Sequence, residues 1–155
     1  MSQHLTVIRA DLEHLELVAP LFDAYRQFYQ QPPDLAKARQ YLLDRLTRNE
    51  SVIFLAVEGQ AGLGFTQLYP SFSSIALKRL WILNDLFVAP AARRRGIAKA
   101  LLERARQFAV ETGATGLMLE TAVNNLSARS LYEQLGWQRD PGFYVYYLHL
   151  ESASV

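Results

Sequence analysis

The residues best suited to chemistry lie in one turn, Arg93-Arg94-Arg95-Gly96-Ile97-Ala98, between a short apolar run and the start of a helical pattern. Gly96 has no side chain and Ala98 a minimal one, so a ligand could approach the first helical turn, where N–H groups lack partners and the macrodipole is positive. Three arginines at a helix N-terminus oppose that dipole unless an anion compensates, and a phosphate or pyrophosphate would do so. The plainer reading is a solvated helix start, which charge runs normally form. Proton chemistry has candidates too. Asp85 and Glu120 sit in or at the ends of strand-like runs and could accept a proton, and Tyr132 could donate one. A buried acid held by structural hydrogen bonds has the same sequence appearance. A tyrosine on a helix usually covers a core.

The elements that must position these groups follow from pattern. Leu83, Leu86, Phe87 and Val88 form a buried strand that Pro90 stops. A helix over Arg94–Thr112 carries Ile97, Leu101, Ala105 and Phe108 on one face, with Gly113 as its stop. A second strand, Gly116–Thr121, leads to a helix over Leu126–Leu135, for which Asn125 is a suitable cap.

Arg93-x-x-Gly96-x-Ala98 after a strand, joined by Asn125-x-x-Ala128-x-x-Leu131-Tyr132-Glu133-x-x-Gly136-Trp137, resembles the paired motifs of the GNAT acetyltransferases. The resemblance covers Leu83 to Trp137 in detail and implies a set of roles. The turn Arg93, Arg94, Arg95, Gly96, Ile97, Ala98 would hold the pyrophosphate of acetyl-CoA; Lys99 and Arg129 could add auxiliary phosphate contacts, although simple exposure is the more ordinary reading of each. The strand positions Leu86, Phe87 and Val88 would pair with the pantetheine arm, which enters where two strands splay. Asn125 and Ala128 would also contact the coenzyme, Asn125 while capping its helix. Tyr132 occupies the position of the general acid that protonates the departing thiolate; a phenol of ordinary pKa, about 10, is protonated at neutral pH and can do this. A backbone N–H near Val88 would polarise the carbonyl.

Composition bounds the alternatives. The chain of 155 residues suits one domain, 1–155, and half of it is apolar. Sixteen Lys and Arg against 15 Asp and Glu leave no global basic field for nucleic acid. A Walker phosphate loop is excluded because Ala100, not Ser or Thr, follows Lys99. With no cysteine there is no disulfide framework, thiolate metal site or cysteine nucleophile; no metal is expected, and transfer should be direct. The N-terminus lacks a signal-peptide core and no run is long enough to span a bilayer, so a cytoplasmic address without membrane partners is expected.

The rest of the chain reads as strand Leu5–Arg9 with Asp11 capping the next helix, a helix through Leu15, Val18, Phe22, Tyr25 and Tyr29 that Pro20 should kink, and a helix capped by Asp34. A hairpin of Ser51–Glu58 and Ala61–Tyr69 follows, then a flexible loop Pro70–Ser74, and Phe143–Leu150 is the last strand. The order βααβββαβαβ gives an α/β class with a mixed sheet covered on both faces, which is also the GNAT order. The acceptor side would be walled by Tyr25, Arg26, Tyr29, Gln67 and Tyr69, with Asn84 or Asp85 beside them. Alternation puts those last two on opposite faces, so only one can face the acceptor.

Asn84-Asp85-Leu86-Phe87-Val88 is similar to the polyamine and small-amine enzymes, yet Asn84 replaces the glutamate that attracts polyamines. Arg26 could pair with a substrate carboxylate. The expected acceptor is therefore a small amine, amino acid-like or polyamine-like. Non-catalytic acyl-CoA binding and acetylation of a protein amine are the rivals. Dimerisation is common in the family, and the end strand FYVYY could form a homodimer interface or simply cover a core.

Overall fold

The computed structural model describes residues 4–151, and the chain divides into two units, Met1–Glu120 and Thr121–Val155. The first unit is built on a five-stranded sheet in sequence order. β1 (Leu5–Ala10), β2 (Val52–Glu58), β3 (Ala61–Ser73) and β4 (Lys78–Val88) are antiparallel neighbours. β5 (Gly116–Met118) joins β4 in parallel. α1 (Leu15–Phe28) and α2 (Leu35–Thr47) follow β1, and α3 (Ile97–Glu111) links β4 to β5.

Local chemistry sets the helix starts. The Asp11 side chain accepts from Glu13 N at 2.9 Å and caps a 3-10 turn, Leu12–His14, that leads into α1, and Asp34 accepts from Lys37 N at 3.1 Å to open α2. α1 runs unbroken through Pro20. Only one backbone bond, the one Pro20 cannot donate, is forfeited there, and burial of Leu15, Val18, Leu21 and Phe22 outweighs it.

Both sheet faces are covered. On one, Leu15, Val18, Phe22 and Leu42 of the first two helices pack on Ile53, Leu55, Phe65 and Phe87. On the other, Phe108 of α3 meets Phe54 at 5.5 Å and Trp81 at 5.0 Å between centroids. Fully buried Phe54 and Phe65 each contribute about 2 kcal/mol by leaving water. Gly64 is required by close approach: a Cβ there would sit 2.8 Å from the Phe87 carbonyl oxygen.

Three expectations change. Residues 70–73 are strand rather than loop, pairing with Lys78–Trp81. β2 ends its ladder at Val52 opposite Leu68, so Pro70 lies where β3 has β4 alone beside it and its missing N–H is tolerated. β5 stops at Met118 rather than Thr121 because pairing with β4 covers only Leu80–Ile82. The alternating run Phe143–Leu150 forms no strand. Strand composition becomes a strand only when a neighbour accepts its hydrogen bonds, and no ladder reaches this run.

The second unit contains α4 (Leu126–Gln134). Asn125 caps its start, its Oδ1 accepting from Ala128 N at 3.4 Å. Its end is a Schellman motif: Gly136, with φ of 94°, donates to Glu133 O and Trp137 donates to Tyr132 O at 3.0 Å.

Candidate active site

The site's floor is a β-bulge. Gln67 stands opposite Asp85 and Leu68 opposite Leu83, which leaves Asn84 as the extra residue in β4. In a regular strand Trp81 and Phe87, six residues apart, would share a face. Here Trp81 packs on Phe108 of α3, whereas Phe87 packs near Tyr25 of α1 at 6.4 Å. The bulge also overturns the expectation that Asn84 and Asp85 face opposite ways, since both line one cleft.

That cleft has a volume of about 510 Å³. Phe22, Tyr25 and Arg26 of α1 form one wall, Lys37, Ala38 and Tyr41 of α2 another, and Tyr69 of β3 closes it beside Asn84 and Asp85. The two helices are tied together by buried Asp23, which accepts from Asp34 N at 3.0 Å and Gln27 Nε2 at 3.3 Å. Aromatic contacts stiffen the walls: Phe22 stacks with Tyr41 at 5.5 Å, and the Tyr41 and Tyr69 hydroxyls share a hydrogen bond of 2.7 Å.

Asp85 is 2% exposed. Its Oδ1 accepts from Asn84 Nδ2 at 2.8 Å and its Oδ2 from Gln67 Nε2 at 2.5 Å. The Tyr25 hydroxyl donates to the Asn84 carbonyl oxygen at 3.2 Å. Burial pushes the Asp85 carboxyl above the ordinary carboxylate range, and hydrogen bonds from Gln67, Asn84 and Tyr25 only partly oppose it. The Tyr69 phenol is pushed far up by burial first, then by its bond to Tyr41 and the charge of Asp85. Tyr69 is therefore a neutral phenol at neutral pH.

Of the residues expected on the acceptor side, Tyr25, Arg26, Tyr69, Asn84 and Asp85 line this cleft. Gln67 lies behind it, fully buried, holding Asp85. Tyr29 does not line it; just past the end of α1, its ring packs edge-on against Tyr25 and Phe28 at 5.1 and 5.3 Å. Lys37 and Tyr41 were missed, although their four-residue spacing beside Ala38 and Leu42 is the signal that could have found them.

The same strand leads into the arginine turn. Arg93 Nε donates to the Val88 carbonyl oxygen at 3.3 Å, Arg94 has φ of 66°, and Gly96, at φ of 75°, precedes the first residue of α3. The helix thus starts at Ile97, not Arg94. Ala100 N donates to Gly96 O at 3.0 Å and no side chain caps the terminus, so the N–H groups of Ile97, Ala98 and Lys99 precede the regular helical bonding. A Cβ on Gly96 would meet nothing within 4 Å, so the space beside this terminus is open to a ligand. An uncapped terminus beside a left-handed glycine fits a diphosphate. Arg95 is engaged by Glu58 of β2, which supplies part of the anionic compensation its position needs. Beyond Ile82 and Met118 the β4 and β5 ladder ends, so Leu86, Phe87 and Val88 have no strand on that edge among the described residues.

Within the second unit, Asn125 is the cap of α4 and the Tyr132 ring packs with Trp137 at 6.0 Å across the Schellman turn. Among the described residues no three His, Asp or Glu side chains gather as a metal site, and no helix is long and apolar enough to cross a membrane.

The chain matches the model of the acetyltransferase (GNAT) family over residues 18–137. It is 47% identical over 146 residues to the N-acetyltransferase YhfO of Bacillus subtilis (strain 168), covering 94% of this chain and 98% of that one. Identity to a probable acetyltransferase of Haemophilus influenzae is 35% over 138 residues, 88% of this chain and 92% of that one. A crystal structure of a probable acetyltransferase shares the fold with a TM-score of 0.91 at 46% identity, covering 95% of this chain and 99% of that one.

Proposed function

Since the chain belongs to the GNAT acetyltransferase family, we propose that it moves an acetyl group from acetyl-CoA to the primary amine of a small, carboxylate-bearing molecule by direct transfer. The observation that carries this reading is the charge layout of the cleft: a buried carboxylate, Asp85, at its floor, with the cations Arg26 and Lys37 on its two helical walls. An ammonium is drawn to the first and a carboxylate to the second, as an amino acid-like acceptor requires. A polyamine would meet two like charges on those walls.

In the proposed sequence Asp85 accepts a proton from the entering ammonium, directly or through water. The elevated pKa that burial gives this carboxyl makes it a better base near neutral pH than an exposed aspartate. The neutral amine then attacks the thioester carbonyl: a C–N bond forms, the C–S bond breaks, the thiolate takes the proton of the Tyr132 phenol, and the surplus proton on the new amide nitrogen returns through water to the phenolate. Tyr132 enters on the resemblance of its motif, as does the polarising backbone N–H near Val88. Gly96, Ile97 and Ala98 would bind the diphosphate through main-chain donors, with Arg93 and Arg94 adding charge. Lacking cysteine, the chain has no thiol to carry an acetyl-enzyme, which favours a ternary complex.

Initial rates with acetyl-CoA and a panel of amines test the reading. Amines bearing a carboxylate should turn over fastest, with intersecting double-reciprocal lines. Spermidine turning over far faster than every carboxylate-bearing amine would overturn the substrate class, and parallel lines would overturn direct transfer.

A further inference from the structure

A second cleft, of about 400 Å³, opens on the other face of the sheet, where α3 packs. It backs onto the acceptor cleft through one strand: Tyr69 of β3 lines the first cleft and its neighbour Pro70 lines the second. Its floor is the Trp81 and Phe108 ring pair. Two guanidinium groups cover this floor. Arg9 lies over Phe108 at 5.2 Å, and Arg79 lies over Trp81 at 5.1 Å while also contacting Phe72 at 5.1 Å.

Among the described residues neither arginine has an acidic partner, and no carboxylate lines the cleft. The nearby acids are used elsewhere: Glu50 pairs with Arg45 at 3.1 Å and Glu111 with Arg104 at 3.7 Å. A guanidinium stacked by its face keeps its N–H edge available, and that planar edge matches an oxyanion. The cleft therefore gathers two unneutralised cations whose faces are occupied by rings and whose edges are not.

An independent observation points the same way. Ser51, also in the lining, is 4% exposed, and its Oγ has no hydrogen-bond partner among the described residues. A buried hydroxyl left unpaired is costly, so a group that accepts its proton is favoured in the cleft. Thr112, the other hydroxyl in the lining, makes its bonds elsewhere, accepting from Trp81 Nε1 at 2.9 Å and donating to the Phe108 carbonyl oxygen at 2.9 Å.

We propose that Arg9, Arg79 and Ser51 form a second binding site, behind the acceptor cleft, for the oxyanion of a small phosphate- or carboxylate-bearing metabolite. The volume suits a compact molecule, within the range of small-ligand pockets. Val52, Pro70 and the ring floor supply apolar contact for its remainder. This site does not depend on the acetyl-transfer reading.

Isothermal titration of the full chain with inorganic phosphate and with citrate, at constant ionic strength and both with and without coenzyme A already bound, tests it. One saturable site per chain is expected for at least one probe, and which probe binds identifies the oxyanion. Arg79→Gln and Arg9→Gln should each weaken that site by about 10-fold or more, the loss of one charge-assisted hydrogen bond. Ser51→Ala removes a buried hydroxyl that nothing satisfies, so it should remain folded, and it should weaken binding several-fold. Coenzyme A affinity should be unchanged in all three. Heat that does not saturate, heat unaltered in all three variants, or heat abolished by prior loading with coenzyme A would each overturn the proposal, the last by assigning the ions to the Gly96 turn.

Discussion

Asn84 donates from its side-chain amide to the carboxylate of the very next residue, Asp85, at 2.8 Å. Neighbours in a regular strand point to opposite faces and cannot do this. The bulge at Asn84 brings both into one cleft, and the Gln67 amide holds the carboxylate from the other side. Asp85 is thereby fixed in orientation while remaining buried, an arrangement that keeps a carboxylate poised to take a proton.

Asp85→Asn should lower kcat by about 10²–10³-fold, the usual contribution of a general base. In the unsubstituted enzyme kcat/KM should rise with pH through the raised Asp85 pKa, because the base is the ionised form. The variant should lose that limb. Rates measured across a pH series decide it, and an unchanged limb in Asp85→Asn would assign the base elsewhere.

The same carboxyl predicts a stability effect of opposite direction. Its folded pKa is raised above the unfolded value, so the folded state holds the proton more tightly. Stability from this group is complete below the unfolded carboxylate pKa and is lost as pH rises through the folded one. Asp85→Asn should therefore be more stable than the parent at neutral pH, with the gap closing in acid. Thermal melts at pH 4 and pH 8 measure this, and an equal gap at both would refute it.

Tyr132→Phe separates catalysis from packing. The ring contact with Trp137 survives the change, and a thermal melt beside the kinetics reads any loss of fold. If the phenol is the acid, kcat should fall by about 10²-fold while coenzyme affinity holds. Full turnover in the variant would leave Tyr132 a structural residue.

Arg26→Gln should raise KM for carboxylate-bearing acceptors by about 10–100-fold, the loss of a charge-assisted pair. Amines without a carboxylate should be unaffected or improve. An equal KM change for both groups would mean that Arg26 only shapes the wall.

Gly96→Ala has two costs that can be read apart. At φ of 75° a side chain is strained by about 1 kcal/mol, yet its Cβ meets no neighbour, so the chain should fold with a modest drop in Tm. Coenzyme affinity should fall more steeply, by 10-fold or more, because the Cβ intrudes beside the exposed amides. Calorimetric titration with coenzyme A beside a thermal melt checks both, and wild-type affinity would remove the turn from the binding site.

Much of the architecture was legible because its signals are local. Asp11, Asp34 and Asn125 cap helices by bonds to N–H groups two or three residues away, and the hairpin of β2 and β3 is set by the turn at Gly59. The arginine turn was visible for the same reason: strand, Pro90, Gly96 and helical periodicity are consecutive in the chain. Asn125 and Gly136 of the second motif were visible as well, and the structure gives them definite work as the start and stop of α4.

What pattern could not supply was anything decided by a partner strand or helix. The bulge that turns Asn84 and Asp85 to one side arises from register with Gln67 and Leu68, residues 16 to 18 positions away, and β4 itself carries no local mark of it. Lys37 and Tyr41 become part of a cleft only when Asp23 ties α1 to α2. The sequence by itself determined the helices, most of the strands, the helix caps and the arginine turn ahead of α3, since each rests on periodicity or on bonds within a few residues. The tertiary structure alone decided which faces meet, that Arg95 is held by Glu58, and that Asp85 is buried, because burial and register are properties of distant segments brought together.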